Sequence, residues 1–247
     1  MLYRLEMTVI RREKGPSLTQ CASYISGETL TDPNGKICSC TRKDVAHCQI
    51  WLPENAPFQL YNLQELVNAM EQAEHRKDSR TGRGIKVPLP NELSLKENLK
   101  ILEAFVKENV LTHGLCVIAA IHNKLNIEDP SKNNPHAHCI LSTRSVGSDG
   151  FSRVKARESN KLEYLIQCRE AWARETNEAY ARNGYSIRVD HRSLRDQGID
   201  RKPVNHLTRL DWEREQRGER TLAGDRRREI EKQNEDHERP QQYREHS

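Results

Sequence analysis

The chain has 247 residues, enough to bury a core as one large domain or as one domain with an extension. Charged residues make up 31% and aromatics only 5%, and the formal net charge of +4 is unevenly placed: from Asp211 onward 9 Lys and Arg face 11 Asp and Glu, net −2, which leaves residues 1–210 at +6. The part expected to fold is therefore the basic part, a weak pointer to nucleic acid. No apolar run approaches a membrane span, the amino terminus lacks the apolar core of a secretory signal, and there is no glycine-rich phosphate loop. Membrane insertion, secretion and nucleotide hydrolysis are not indicated, and a cytoplasmic protein is expected.

Seven cysteines without a signal segment argue for reduced thiols, and Cys38-x-Cys40 with His47-Cys48 fits none of the common zinc spacings. In chain order, Tyr3, Leu5, Met7 and Val9 alternate with polar residues and predict an opening strand. Ser17-x-x-Gln20 is a capping-box signature, followed by Leu18, Cys21, Ala22 and Ile25 at helical spacing and a stop at Gly27. Tyr24 lies nearly opposite Leu18 on that helix, off the core stripe; taken alone it reads as structural. Residues 31–57 are turn-rich, and Thr41-Arg42-Lys43 puts adjacent cations on a loop, a solvated pair or a phosphate contact.

Leu63, Leu66, Val67, Met70 and Ala73 predict an amphipathic helix reaching to about Arg80, with Glu71 and Glu74 on it, Glu74 read alone as a rim residue. Ile85 to Pro90 reads as an edge strand because of its prolines. Ser94-x-x-Glu97 caps a helix bearing Leu95, Leu99, Leu102, Phe105, Val106 and Val110, ended near Gly114.

The stretch from Cys116 to Thr143 follows. Cys116 to His122 is a continuous apolar run closed by a histidine, as expected of a strand covered on both faces; a polar loop with Asn134-Pro135 leads to a second strand, His136-Ala137-His138-Cys139-Ile140-Leu141. An antiparallel hairpin is the simplest connection. Side chains alternate along a strand, so His136 and His138 share a face, and His122 could arrive opposite them. Three converging imidazoles would make a metal site with open positions; scattered strand histidines without a ligand are the alternative on pattern alone. Beyond the hairpin, a loop carries Arg153, Lys155 and Arg157, and Leu162, Leu165, Ile166, Trp172, Ala173 and Ala179 predict a long helix stopping at Gly184. From Asp211 onward the sparse apolar residues and mixed charges suit a solvated helix or a disordered tail.

Taken together, Ala22-Ser23-Tyr24-Ile25-Ser26-Gly27-Glu28, Thr41-Arg42-Lys43, Leu52-Pro53-Glu54-Asn55-Ala56-Pro57, Glu71-x-x-Glu74, Ala120-Ile121-His122, Asn134-Pro135-His136-Ala137-His138, Leu141-Ser142-Thr143-Arg144 and Val189-Asp190-His191-Arg192-Ser193-Leu194 resemble, in order, the MobA/MobL relaxases of the HUH endonucleases. Two positions depart from many members: Ile25 stands where Arg often follows the tyrosine, and Cys40 where an aromatic often precedes Thr-Arg-Lys.

The resemblance implies an α/β (α+β) fold with a central antiparallel sheet flanked by helices, a relaxase domain over residues 1–206 and a charged extension, helical or disordered, over 207–247. It implies a DNA nickase that cuts one strand at a plasmid origin of transfer through a 5′-phosphotyrosyl intermediate, later rejoined, for conjugative mobilisation. Tyr24 would be the nucleophile, His122, His136 and His138 the ligands of Mg²⁺ or Mn²⁺, and Glu74 a catalytic carboxylate that orients a ligand or manages the tyrosine proton. Arg42, Lys43, Lys77, Arg80 and Arg144 would contact DNA. Single-stranded origin DNA, accessory mobilisation proteins and a type IV secretion coupling protein are the implied partners, in the cytoplasm of a plasmid-bearing bacterium. An HUH replication initiator or single-strand transposase, and a non-catalytic DNA-binding accessory protein, are the alternatives.

Overall fold

The computed structural model describes residues 3–205 and 207–242, so the expected domain end at residue 206 falls on a residue outside the described ones. In chain order the elements are β1 (Glu6–Arg11), α1 (Leu18–Ser26), β2 (Leu30–Thr31), β3 (Ile37–Cys38), β4 (Val45–Trp51), α2 (Leu63–Gln72), β5 (Arg80–Pro88), α3 (Leu95–Asn109), β6 (Val117–His122), β7 (His136–Leu141), β8 (Arg144–Gly147), β9 (Gly150–Lys155), α4 (Leu162–Arg182), α5 (Arg209–Gln216) and α6 (Leu222–Gln242). Five strands form one sheet in the order β1-β5-β7-β6-β4, every neighbouring pair antiparallel; β2 with β3 and β8 with β9 make two small hairpins.

The sheet is covered on both faces. Along β6, Val117, Ala119 and Ile121 join the cluster built by Leu102, Phe105 and Val106 of α3 and Trp172 and Tyr180 of α4. Ile118 and Ala120 face the other way, toward Leu18, Ala22 and Ile25 of α1 and Leu66, Val67 and Met70 of α2. This double cover is why β6 reads as a continuous apolar run. Gly82 of β5 lets α1 settle on the sheet, since a Cβ there would lie 3.0 Å from the Leu18 side chain.

The expected caps are in place. Ser17 and Gln20 form the reciprocal capping box of α1, Gly27 ends it in the left-handed region at φ 77°, and Ser94 accepts from the Glu97 amide at the start of α3.

Two expectations are corrected. The second helix stops at Gln72 rather than near Arg80, because its buried stripe of Leu63, Leu66, Val67 and Met70 ends there and the chain from Arg80 is taken into the sheet. Ile85 to Pro88 is not an edge strand: it lies within β5, paired to β1 on one side and β7 on the other. The Leu89 amide donates to Pro135, on the β7 side, so the Pro88 nitrogen points toward β1, whose pairing has already ended at Glu6 opposite Lys86. The missing donor is thus at a place where the ladder needs none.

Residues 1–191 and 192–247 form two compact units. In the second, Asn234 ties α6 to the preceding segment by accepting from the Lys202 amide (2.8 Å) and donating to its carbonyl (3.0 Å). Among the described residues no helix is long and apolar enough to cross a membrane.

Candidate active site

Register sets the site. On the hairpin of β6 and β7, His122 is the cross-strand partner of His136, and Ala120 that of His138. Alternation sends all three imidazoles to the α1 face of the sheet, with Ile118 and Ile140 continuing that face into the core. Their ring centroids lie 4.8, 5.0 and 5.5 Å apart, and their candidate ligand atoms fall within 4.8 Å of one another. Among the described residues this is the one grouping of His, Cys, Asp or Glu that could share an ion.

Backbone carbonyls orient two of the rings. His122 Nε2 lies 2.7 Å from the Ile25 carbonyl, one of the carbonyls that the end of α1 leaves without an intrahelical donor, and His136 Nδ1 lies 2.8 Å from the Asn134 carbonyl. A ring that donates to a carbonyl through one nitrogen keeps its other nitrogen as a metal ligand. His122 Nδ1 and His138 Nε2 are buried with no protein partner, which fits a cation between them. Burial pushes all three imidazoles below their ordinary range; the cations Lys86 and Arg42 lower them further, and His138, also flanked by the other two rings, falls to about 3. Each is therefore neutral at neutral pH and has a lone pair to give.

Tyr24 stands over this cluster. It occupies the face of α1 away from the core stripe and is 45% exposed, so its phenol is reachable while the helix beneath it is anchored. The ring meets His122 and His138 edge-on, centroids 6.1 and 5.9 Å apart. A cavity of about 780 Å³ opens beside it, lined by Tyr24, His138 and Lys86 and by both departures from the family pattern, Ile25 and Cys40.

Two neighbours were missed in the sequence. Lys86 is the β5 partner of His138, hence on the same face; only the β5–β7 pairing reveals it. Asp44 grips Arg42 as a fork, Nε to Oδ1 at 2.8 Å and Nη2 to Oδ2 at 2.5 Å, and this grip holds the Asp44 carboxyl at about 2. Arg-x-Asp just before a strand was the available signal.

The other expected site residues divide. Lys43 and Lys77 are exposed, as is Arg80, whose Nη1 reaches Asn160 at 3.4 Å. Glu74 is not brought to the histidines. It follows α2 and is buried at the opposite end of β7, where it accepts from Thr143 (2.7 Å) and Arg144 (2.9 Å) and pairs with Lys155 (2.8 Å). Its carboxylate is thus engaged by groups other than the three histidines and the tyrosine. Arg144 is correspondingly sequestered, its guanidinium shared between Glu74 and the carbonyls of Ser152 and Arg153.

The family profile described as MobA/MobL matches residues 16–217. The chain is 28% identical to a probable mobilization protein MobA of Bifidobacterium longum and 28% identical to mobilization protein MobL of Acidithiobacillus ferridurans, in each case over 83% of its own length. It spans 43% of the first protein and 61% of the second. A solved structure described as "Molecular Basis of Vancomycin Resistance Transfer in Staphylococcus aureus" superposes with a TM-score of 0.70 at 26% identity, covering 78% of this chain and 100% of that one.

Proposed function

This chain belongs to the MobA/MobL family, and on that premise we propose that it is a relaxase: a DNA transesterase that nicks one strand at a plasmid origin of transfer and later rejoins it. The observation that carries the reading is the exposed Tyr24 ring set 5.9 Å from His138 and 6.1 Å from His122, beside ligand nitrogens that no protein group occupies.

The Tyr24 hydroxyl attacks the scissile phosphorus in line and the 3′-oxygen leaves, taking up a proton. The products are a phosphotyrosyl bond to the downstream 5′ end and a free 3′-hydroxyl. One phosphodiester is exchanged for another, so the step reverses without an energy source. His122, His136 and His138 would hold a divalent cation, Mg²⁺ or Mn²⁺, which when bound would supply Lewis-acid charge to the scissile phosphate. Neutral ligands leave that charge undiminished, and burial keeps these three neutral. Lys86 adds a cation on the same face.

Lys43, Lys77 and Arg80, all exposed, serve as contacts to the DNA backbone. Arg42 and Arg144 have their guanidinium donors engaged by protein carboxylates, and Glu74 serves as the anchor of Arg144 and Lys155 rather than as a proton carrier. We take residues 1–206 as the nicking domain and 207–247 as a charged extension; the first compact unit closes at residue 191 and the family match runs to residue 217. Single-stranded origin DNA is the substrate, accessory mobilisation proteins and a type IV coupling protein are partners, and the setting is the bacterial cytoplasm.

The test uses 5′- and 3′-labelled single-stranded oligonucleotides from the cognate origin, with and without Mg²⁺ or Mn²⁺. Metal-dependent cleavage that leaves the downstream fragment on the protein supports the reading. Tight binding without cleavage would favour the non-catalytic accessory protein.

A further inference from the structure

We propose that Asp44 is a positioning residue for the nucleophile, holding Arg42 across the face of Tyr24 so that the phenol keeps one orientation beside the histidines. The consequence for rate rests on the nicking reading above; the geometry does not.

An exposed tyrosine on a short helix has two free side-chain torsions, and its oxygen moves by several ångströms between rotamers. In-line attack tolerates far less: a misplacement of about 1 Å can cost roughly 100-fold in rate. Something has to confine the ring. His122 and His138 bound its edge at interplanar angles of 71° and 87°. Its face is covered by the Arg42 guanidinium, whose central carbon lies 4.4 Å from the ring centroid, within cation–π range.

Arg42 is itself a long side chain on a loop and cannot confine a ring unless it is confined too. Asp44 does this with two parallel hydrogen bonds, 2.8 and 2.5 Å, the planar fork that only Arg can make. Both side chains are largely shielded, at 16% and 23% exposure, so the pair is less screened than an ordinary surface bridge. The Asp44 carbonyl accepts from the Asn123 amide at 2.8 Å, extending the β4–β6 ladder just past the pairing of Val45 with His122. The clamp therefore leads directly into β4, the neighbour of the strand that carries His122, and the ring is referenced to that histidine through backbone.

This assigns Arg42 a role different from a phosphate contact, and the two are separable. Single-turnover formation of the covalent adduct is measured at saturating origin oligonucleotide with Mn²⁺, and the Kd of the same oligonucleotide at two salt concentrations. The full chain is compared with Asp44→Asn, Asp44→Glu, Arg42→Ala and the double variant Asp44→Asn/Arg42→Ala. Asp44→Asn should slow adduct formation roughly 10- to 100-fold while leaving Kd and its salt dependence unchanged. Asp44→Glu should recover part of the rate, and the double variant should be no slower than Arg42→Ala alone. An unchanged rate in Asp44→Asn, or a loss confined to Kd with a shallower salt dependence, overturns the proposal. If Asp44→Asn does not fold, Arg42→Lys, which keeps the charge but cannot fork, replaces it with the same expected losses.

If the full chain forms no adduct, it is the nicking reading that fails, and the clamp is read without catalysis. With 3-fluorotyrosine in place of Tyr24, ¹⁹F NMR should give one sharp resonance in the otherwise unaltered chain and a shifted, broadened one with Asp44→Asn. Identical spectra overturn the clamp.

Discussion

His122 serves two structures at once: one ring nitrogen closes the end of α1 through the Ile25 carbonyl, and the other faces the histidine cluster without a protein partner. His136 is hydrogen-bonded instead to the local carbonyl of Asn134. His136→Ala should therefore remove a ligand and little else, whereas His122→Ala should remove a ligand and also leave a helix-end carbonyl buried without its donor. Both should weaken Mn²⁺ binding by at least roughly 10- to 100-fold in calorimetry, the range already seen when only a ligand's supporting group is lost. His122→Ala should in addition lose about 1–3 kcal/mol of stability in urea unfolding. Equal stability losses in the two variants would contradict the double role. At this scale the sequence was informative wherever strand alternation alone decides direction: it puts His136 and His138 on one face and lets His122 meet them. It was silent on Lys86 and Asp44, because the first reaches the site through the partner of its strand and the second through a side chain two residues away.

Between elements, the least legible feature was the stretch joining α2 to β5. The apolar stripe of α2 was plain, but its end was not, since nothing local to residues 73–80 says that Arg80 will enter a sheet between β1 and β7. The same ambiguity left Glu74 drawn on a helix, where pattern alone made it a rim residue and the resemblance gave it a catalytic role. It is the buried anchor of the β8–β9 hairpin, reaching Arg144 on one strand and Lys155 on the other. Glu74→Gln should lower stability by roughly 3–5 kcal/mol, the usual consequence of breaking a buried pair from one side. Burial raises the Glu74 carboxyl, but hydrogen bonds from Arg144, Lys155 and Thr143 outweigh it and leave a net lowering from 4.5. A carboxyl lowered on folding stabilises while ionised, so its contribution is full above 4.5 and is lost as pH falls through the folded value. The gap between the parent chain and Glu74→Gln in urea unfolding should accordingly narrow in acid; a gap independent of pH would mean that the charge is not what matters. Metal binding should survive this substitution, since none of the three histidines touches Glu74.

For the molecule as a whole, individual strands and capped helices were legible in the pattern, while the fold class, an antiparallel sheet with helices on both faces, is what the resemblance implied. The basic excess of residues 1–210 should appear as salt-dependent DNA affinity: each of Lys43→Ala, Lys77→Ala and Arg80→Ala should reduce the slope of log K against log salt by about 0.7, the value for one single-strand phosphate contact. Slopes unchanged in all three would remove these residues from the DNA path. Because Tyr24, Arg42, Asp44, Lys86 and the three histidines all belong to the unit of residues 1–191, limited proteolysis between the two units should leave an amino-terminal fragment that still binds Mn²⁺. The central claim is that Tyr24 forms a covalent bond to DNA at this site. It is tested most directly by trapping the protein on a single-stranded origin oligonucleotide with Mn²⁺, digesting the adduct and mapping the modified peptide by mass spectrometry. A 5′-phosphonucleotide on Tyr24, absent from Tyr24→Phe, is the predicted result; an adduct on another residue, or one that persists in Tyr24→Phe, would contradict it.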